Sequence, residues 1–92
     1  MSTQLEASRL LVWKAAMLRD RKEVCTQAAA QAKLFASRTC NYCADECLQI
    51  HGGAGYTDDF EVERLFRDAR ITEIYEGATD IQRIVIARRL LA

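Results

Sequence analysis

The sequence predicts an all-α fold, an antiparallel bundle of four helices, and three observations support this. The chain of 92 residues has no proline and is rich in Ala, Leu, Arg and Glu, a composition that favours helix. Apolar residues recur at intervals of three and four, and no stretch alternates with the period of a strand. Polar turns and glycines separate the periodic stretches, whereas neither a repeat nor a linker marks a domain boundary. We therefore expect one domain over residues 1–92.

The first helix is predicted from Thr3 to Asp20 and the second from Thr26 to His51, with a polar turn between them. Thr26 is the expected N-cap of the second helix, because its hydroxyl can accept a bond from a free backbone amide. The second helix is rich in alanine, which predicts the close approach of a neighbouring helix. The first helix carries an apolar stripe of Leu11, Ala15 and Leu18, widened by Leu10, Trp13 and Met17.

Gly52 and Gly53 are expected to end the second helix, since glycine readily adopts the left-handed conformation found there. The third helix is predicted to begin after Asp58 and Asp59, which can cap it, and to break at Gly77. The fourth helix is predicted from Thr79, which has the spacing of a capping box to a glutamine three residues later. The apolar face of the third helix is Val62, Leu65, Phe66 and Ala69, and that of the fourth is Ile81, Ile84, Val85, Ile86, Leu90 and Leu91.

Charge and hydropathy argue against several classes of protein. Thirteen Lys and Arg balance thirteen Asp and Glu, so the net charge of zero disfavours a nucleic-acid-binding module. The same balance disfavours a polybasic surface that binds membranes. No apolar run reaches the roughly 18 residues of a membrane span, and the first residues lack the pattern of a secretory signal. We therefore expect no nucleic-acid or membrane partner, and an intracellular, reducing compartment in which the four cysteines stay free.

Cys40, Cys43, Cys47 and His51 follow one another at intervals of three or four residues, a spacing that invites a metal-site interpretation. On a helix, however, Cys40 and His51 lie about 16 Å apart along the axis. Zinc ligands lie about 2.0–2.3 Å from the metal, so the four side chains cannot reach one ion. The same spacing is typical of a buried helical stripe, in which free cysteine packs as a small apolar residue. The sequence predicts buried cysteines and no metal site.

The glycine loop, Gly52-Gly53-Ala54-Gly55-Tyr56, is by itself typical of a helix end and a tight turn, because it follows a helix and lacks the Lys-Ser/Thr of a phosphate loop. It opens, however, a longer pattern, Gln49-x-x-Gly52-Gly53-x-Gly55-Tyr56-x-x-Asp59-x-x-x-x-Arg64-x-x-x-Asp68. This pattern resembles the C-terminal signature of acyl-CoA dehydrogenases. The resemblance covers nearly the whole chain, and it continues through Arg67–Ile71, Ile74–Gly77 and Thr79–Arg88.

The resemblance implies an FAD-dependent enzyme that desaturates acyl-CoA thioesters between the α and β carbons. The family's catalytic carboxylate, which removes the α-proton while the flavin accepts a hydride, matches Glu76. The backbone N–H of Glu76 would also donate to the thioester carbonyl, and Gly77 would leave room for the substrate. The family's contacts to the ADP part of FAD match Gln49, Gly52 and Gly53, and a second stretch near the flavin matches Thr79 and Asp80.

In that family the FAD beside the glycine loop belongs largely to a neighbouring subunit, which implies a homo-oligomer. The family occurs in the mitochondrial matrix and in bacterial cytoplasm. Its members are several times longer, and this chain resembles only the last part of their C-terminal four-helix domain. Because most of the FAD and acyl-CoA walls lie elsewhere, we expect the chain to be inactive alone. The alternative is a non-catalytic helical module that keeps the family's assembly surface. Ala78 departs from the family, many of whose members have a Thr or Ser that contacts the flavin.

Overall fold

The computed structural model describes residues 1–92 and confirms the all-α fold, without any strand. The four helices are α1, Ser2–Asp20; α2, Thr26–His51; α3, Val62–Arg70; and α4, Thr79–Leu91. Two short 3₁₀ helices, Gly52–Tyr56 and Ile71–Glu73, lie between them. The other three helices all pack against α2, which is the central element. None of the helices combines the length and the apolar character needed to cross a membrane.

The interior of the molecule is narrow and made of small side chains. The molecule measures 48 × 22 × 17 Å, and its radius of gyration of 15.5 Å exceeds the roughly 12 Å of a compact domain of this length. Only nine residues are buried, and none of them has a large side chain that is fully enclosed. The small residues on α2 let the neighbouring helices approach closely; the buried ones are Ala28, Ala30, Ala32, Ser37 and Thr39.

Polar bonds as well as apolar contacts join α3 to α2. The Asn41 side-chain amide donates to the carbonyl of Ala69 at 3.0 Å and to the hydroxyl of Thr72 at 3.2 Å. The Thr72 hydroxyl in turn donates to the Ala69 carbonyl at 2.6 Å. These bonds fix the point at which α3 ends and the chain turns toward α4.

Much of the predicted apolar surface stays exposed. Leu11, Ala15 and Leu18 are half-buried on α1, whereas the three side chains expected to widen that stripe are exposed. In α3, Val62 and Ala69 are buried, but half of the Leu65 surface and 41% of the Phe66 surface face solvent. A groove of about 560 Å³ runs between α1, α2 and α3, because no element covers this side of α2.

Three predicted helix caps are wrong. α2 begins at Thr26 itself, with Cys25 in the N-cap position and no capping bond from a side chain. α3 begins at Val62 after Glu61, so the aspartates expected to cap it lie outside the helix. α4 has Ala78 as its N-cap, and the Thr79 hydroxyl donates backward to a carbonyl instead of capping the helix. The third helix also ends at Arg70, well before the predicted break at Gly77.

The cysteine stripe is only partly enclosed. Cys43 and Cys47 are half-buried, but Cys40 is exposed, so the prediction of a buried Cys40 is wrong. The reason is the uncovered groove, onto which all three side chains open. All four cysteines are free, and no group of three or more His, Cys, Asp or Glu side chains is placed to hold a metal ion.

Candidate functional site

Glu76 and Gly77 lie in the connection between the second 3₁₀ helix and α4, and both have left-handed backbone conformations. The φ angles are +55° at Glu76 and +93° at Gly77. Glycine adopts such an angle without cost, whereas a residue with a Cβ loses about 1–2 kcal/mol. Strained backbone of this kind persists only where the surroundings hold it, and it clusters at functional sites. Glu76 is therefore a candidate on geometry as well as on sequence.

The Glu76 side chain and backbone amide are both available to a ligand. The residue is exposed, and its carboxylate takes part in none of the ion pairs of the chain. Its backbone N–H lies outside the helices and donates to no acceptor within the chain. A carboxylate and a free N–H on one residue offer a proton acceptor and a hydrogen-bond donor side by side.

Two side chains from different helices hold the Glu76–Gly77 turn. The Lys33 ammonium on α2 donates to the carbonyl of Thr72 at 2.6 Å and to that of Gly77 at 3.3 Å. The Gln82 amide on α4 also donates to the Gly77 carbonyl, at 3.0 Å. A Cβ on Gly77 would meet this amide, which is the free end of a flexible side chain and can move aside, so it is the φ angle of +93° that favours glycine here.

The two remaining candidates at this end lie on the first turn of α4. The Thr79 hydroxyl is 3.4 Å from the carbonyl of Glu73 and lies next to the turn. Asp80 is exposed and pairs with Arg83 at 2.9 Å. These four candidates lie together because they are almost consecutive in the sequence, and what the fold adds is the pair of side chains, Lys33 and Gln82, that bond to the turn.

The other candidates lie at the C-terminal end of α2. Gly52 ends the helix, as predicted, but its φ of +63° is combined with a ψ of −146°, which differs from the expected left-handed helical cap; its amide donates to the carbonyl of Gln49. Gly53 has no such angle, and a Cβ built on Gly52 or Gly53 would meet no atom within 4 Å. Gly55 differs, because a Cβ built on it would lie 2.7 Å from the Cβ of His51. Gly55 is required by packing, whereas nothing in the fold requires glycine at Gly53.

The two groups of candidates are far apart on one chain. Lys33 contacts the Glu76 turn, and Gln49 follows it by sixteen positions on α2, which corresponds to about 24 Å at 1.5 Å per residue. The chain therefore does not gather Gln49, Gly52 and Gly53 around Glu76. A ligand that touched both groups on one chain would have to be long.

Lys33 and Gln82 are the site residues that the sequence analysis missed. A signal for Lys33 was present, since it is the only charged residue between Thr26 and Ser37 and lies in the part of α2 with most buried residues. The spacing from Thr79 to Gln82 predicts a capping box, which the structure does not contain. Neither residue could be linked to Glu76 before the packing of α2 and α4 was known.

Comparison with known proteins supports the family resemblance. The sequence model described as acyl-CoA dehydrogenase, C-terminal domain, matches residues 1–91. The mitochondrial short-chain specific acyl-CoA dehydrogenase of Rattus norvegicus is 52% identical over 91 residues, which are 99% of this chain and 22% of the relative. The chain thus spans about a fifth of the length of this relative.

Solved structures agree with this comparison. Butyryl-CoA dehydrogenase from Megasphaera elsdenii superimposes with a TM-score of 0.97 at 42% identity, over 100% of this chain and 24% of that one. The FAD complex of PigA gives a TM-score of 0.94 at 28% identity, over 98% of this chain and 24% of the other. The match over nearly the whole chain shows that it belongs to the acyl-CoA dehydrogenase family, in the region of the family's C-terminal domain.

Proposed function

We propose that this chain is the C-terminal part of an FAD-dependent acyl-CoA dehydrogenase in which Glu76 removes the α-proton of an acyl-CoA thioester. The observation that carries the proposal is the exposed carboxylate of Glu76 on a turn held in a left-handed conformation. The 52% identical relative acts, by its name, on short-chain acyl-CoA, which supports a substrate of this class.

The free groups of Glu76 suit the chemistry of a thioester. The α-proton is weakly acidic, so the base must be held close to it in the reacting geometry. Charge then develops on the thioester oxygen, and a donor aimed at that oxygen lowers the barrier. The free N–H of Glu76 is such a donor, and it is fixed on the same residue as the base. Gly77 next to it presents no side chain to the substrate.

FAD, when bound, supplies the acceptor for the hydride that leaves the β carbon. The open faces of Gly52 and Gly53 fit a cofactor that packs directly on the backbone, because a Cβ at Gly53 would fill space that the fold leaves empty. Gln49, Gly52 and Gly53 would hold the ADP part, and Thr79 and Asp80 would lie near the flavin. The structure of PigA with FAD supports this cofactor class for the fold.

The distance along α2 favours assembly. Because Lys33, which bonds to the Glu76 turn, lies about 24 Å along α2 from Gln49 at the glycine loop, we infer that the two ends serve cofactors of different subunits in a homo-oligomer. The exposed apolar residues, which include Trp13, Leu65 and Phe66, offer surface for such an assembly and for the remaining domains. We infer that the chain is a single partial domain, inactive without those domains.

The exposed apolar surface also favours a second candidate, a non-catalytic assembly module of the same family. The first measurement is the visible absorption spectrum of the chain after gel filtration with FAD. A flavin band that elutes with an oligomer supports a cofactor site shared between subunits. A colourless protein means that the chain does not hold FAD by itself.

Catalysis is tested in a chimera in which this chain replaces the corresponding residues of the rat short-chain enzyme. Glu76→Gln keeps the size of the side chain but cannot accept a proton, so we expect turnover to fall at least about 10²-fold. Glu61→Gln is the matched control, since Glu61 is an exposed carboxylate far along the sequence from the turn. Equal turnover in the Glu76→Gln and control enzymes would rule out the base and leave the assembly module.

A further inference from the structure

We propose that Lys33 is a positioning residue for Glu76: its ammonium ties the carbonyls of Thr72 and Gly77 together and so holds Glu76 in its left-handed conformation. That this role matters for catalysis rests on the proposed function of Glu76 as the base. The geometry on which it stands is independent of that function.

The two bonded carbonyls flank Glu76 in the sequence. Thr72 lies in the 3₁₀ helix before the turn, and Gly77 follows Glu76 directly. Lys33 donates to both oxygens, at 2.6 and 3.3 Å, and so holds the two ends of the segment that contains Glu76 close to one another. Gln82 donates only to the Gly77 carbonyl, so it supports one of the two tethers. Asn41 on α2 also bonds to the Thr72 hydroxyl, but Lys33 is the one side chain of the central helix that bonds to both sides of the turn.

The hydrogen bonds of the Lys33 ammonium all go to this turn. Lys33 is half-buried and forms no salt bridge, so its ammonium has carbonyl oxygens as its hydrogen-bond acceptors. The Thr72 carbonyl lies at the end of the α3 and 3₁₀ segment, where the helix dipole favours a cation. The ammonium also lies 5.9 Å from the ring centre of Tyr75, the neighbour of Glu76. A cation at this position is thus attracted by three groups of one turn.

The tether explains why a residue with a Cβ keeps a left-handed angle at position 76. Such angles relax to negative φ unless the surroundings hold them. The Glu76 N–H has no acceptor in the chain, and its carboxylate has no ion-pair partner, so neither group fixes the conformation. The conformation therefore depends on bonds to the neighbouring residues: those of Lys33 to the Thr72 and Gly77 carbonyls, that of Gln82 to Gly77, and the longer one of Thr79 to the Glu73 carbonyl.

The test is NMR on the 92-residue chain without FAD or acyl-CoA. A positive φ brings the amide and α protons of a residue close together, which gives a strong intraresidue cross-peak. We expect this cross-peak of Glu76 to weaken at least twofold in Lys33→Met. It should be unchanged in Lys14→Met, which removes the charge of an exposed lysine on α1. Lys22, with a φ angle of +57° far from the turn, is the internal reference and should keep its cross-peak in both variants.

A Glu76 cross-peak of full strength in a helical Lys33→Met chain would overturn the proposal. If Lys33→Met does not fold, the Glu76 cross-peak is measured in Lys33→Gln instead, because this substitution keeps a hydrogen-bond donor and removes only the charge and some length. Weakening at Glu76 with α2 intact supports the proposal, and an unchanged cross-peak rejects it. In the chimera, a kcat that falls up to about 10²-fold with KM within twofold would extend the role to catalysis. This result is separate from the Glu76→Gln test, so either proposal can fail alone.

Discussion

Gly53 and Gly55, both in the 3₁₀ helix Gly52–Tyr56, test at which positions the fold requires glycine and at which it accepts a side chain. In Gly55→Ala the new Cβ would lie 2.7 Å from the His51 Cβ and 2.8 Å from the Leu48 carbonyl oxygen. Neither atom is the free end of a flexible side chain, so α2 or the turn must shift. In Gly53→Ala the new methyl meets no atom within 4 Å, and the φ angle is not in the left-handed region.

The magnitudes follow from these contacts. Forcing an extra methyl into a packed site costs about 1–3 kcal/mol. For a domain of this size each 1 kcal/mol changes Tm by about 4–8 °C, so Gly55→Ala should lower Tm by roughly 4–24 °C. At an unstrained position, replacing glycine with alanine stabilises by about 0.4–1 kcal/mol through the unfolded chain. Gly53→Ala should therefore keep or raise Tm.

Thermal unfolding followed by circular dichroism at equal protein concentration measures both changes. FAD binding by the same two variants, measured in the chimera, separates function from stability. We expect Gly53→Ala to weaken FAD binding although the fold is intact. A Tm loss in Gly53→Ala as large as that in Gly55→Ala would refute the reasoning about the open face.

Three further predictions concern stability. Asn41→Leu removes two hydrogen bonds between α2 and the α3 region and should lower the free energy of unfolding by about 1–3 kcal/mol, measured by urea denaturation. Arg67→Ala breaks the ion pair with Glu63, but 70% of the arginine side chain is exposed. The free energy of unfolding, measured in the same way, should therefore fall by at most about 0.5 kcal/mol. Lys22→Gly relieves a left-handed φ of +57° and should raise Tm, a result that a lower Tm would contradict.

Local patterns predicted the helices well because helix formation depends on near neighbours. The run of small residues on α2, and Gly52 at its end, could be identified from propensity and spacing. Caps were predicted less well, since several residues near a helix start can offer an oxygen. Thr26 and Thr79 have the right chemistry for capping, but the tertiary turn before each helix set a different N-cap.

Burial could not be read from periodicity alone. An apolar stripe shows which face would be buried if a neighbour were present, but not whether the chain supplies that neighbour. Leu65 and Phe66 have the spacing of a buried face, yet both are exposed because no element of the chain covers that side. Cys40 is exposed for the same reason.

The sequence by itself determined the helical class, the family and the candidate residues, because these depend on composition and on fixed spacings along the chain. The tertiary structure decided which distant side chains contact the candidates and how far apart the two groups of candidates lie. The packing of α2 against α4 brought Lys33 and Gln82 to the carbonyl of Gly77, although 44 residues separate Lys33 from Gly77 in the sequence. The length of α2 placed the glycine loop far from Glu76. Long-range contacts of this kind arise from the path of the chain in space, which no local pattern encodes.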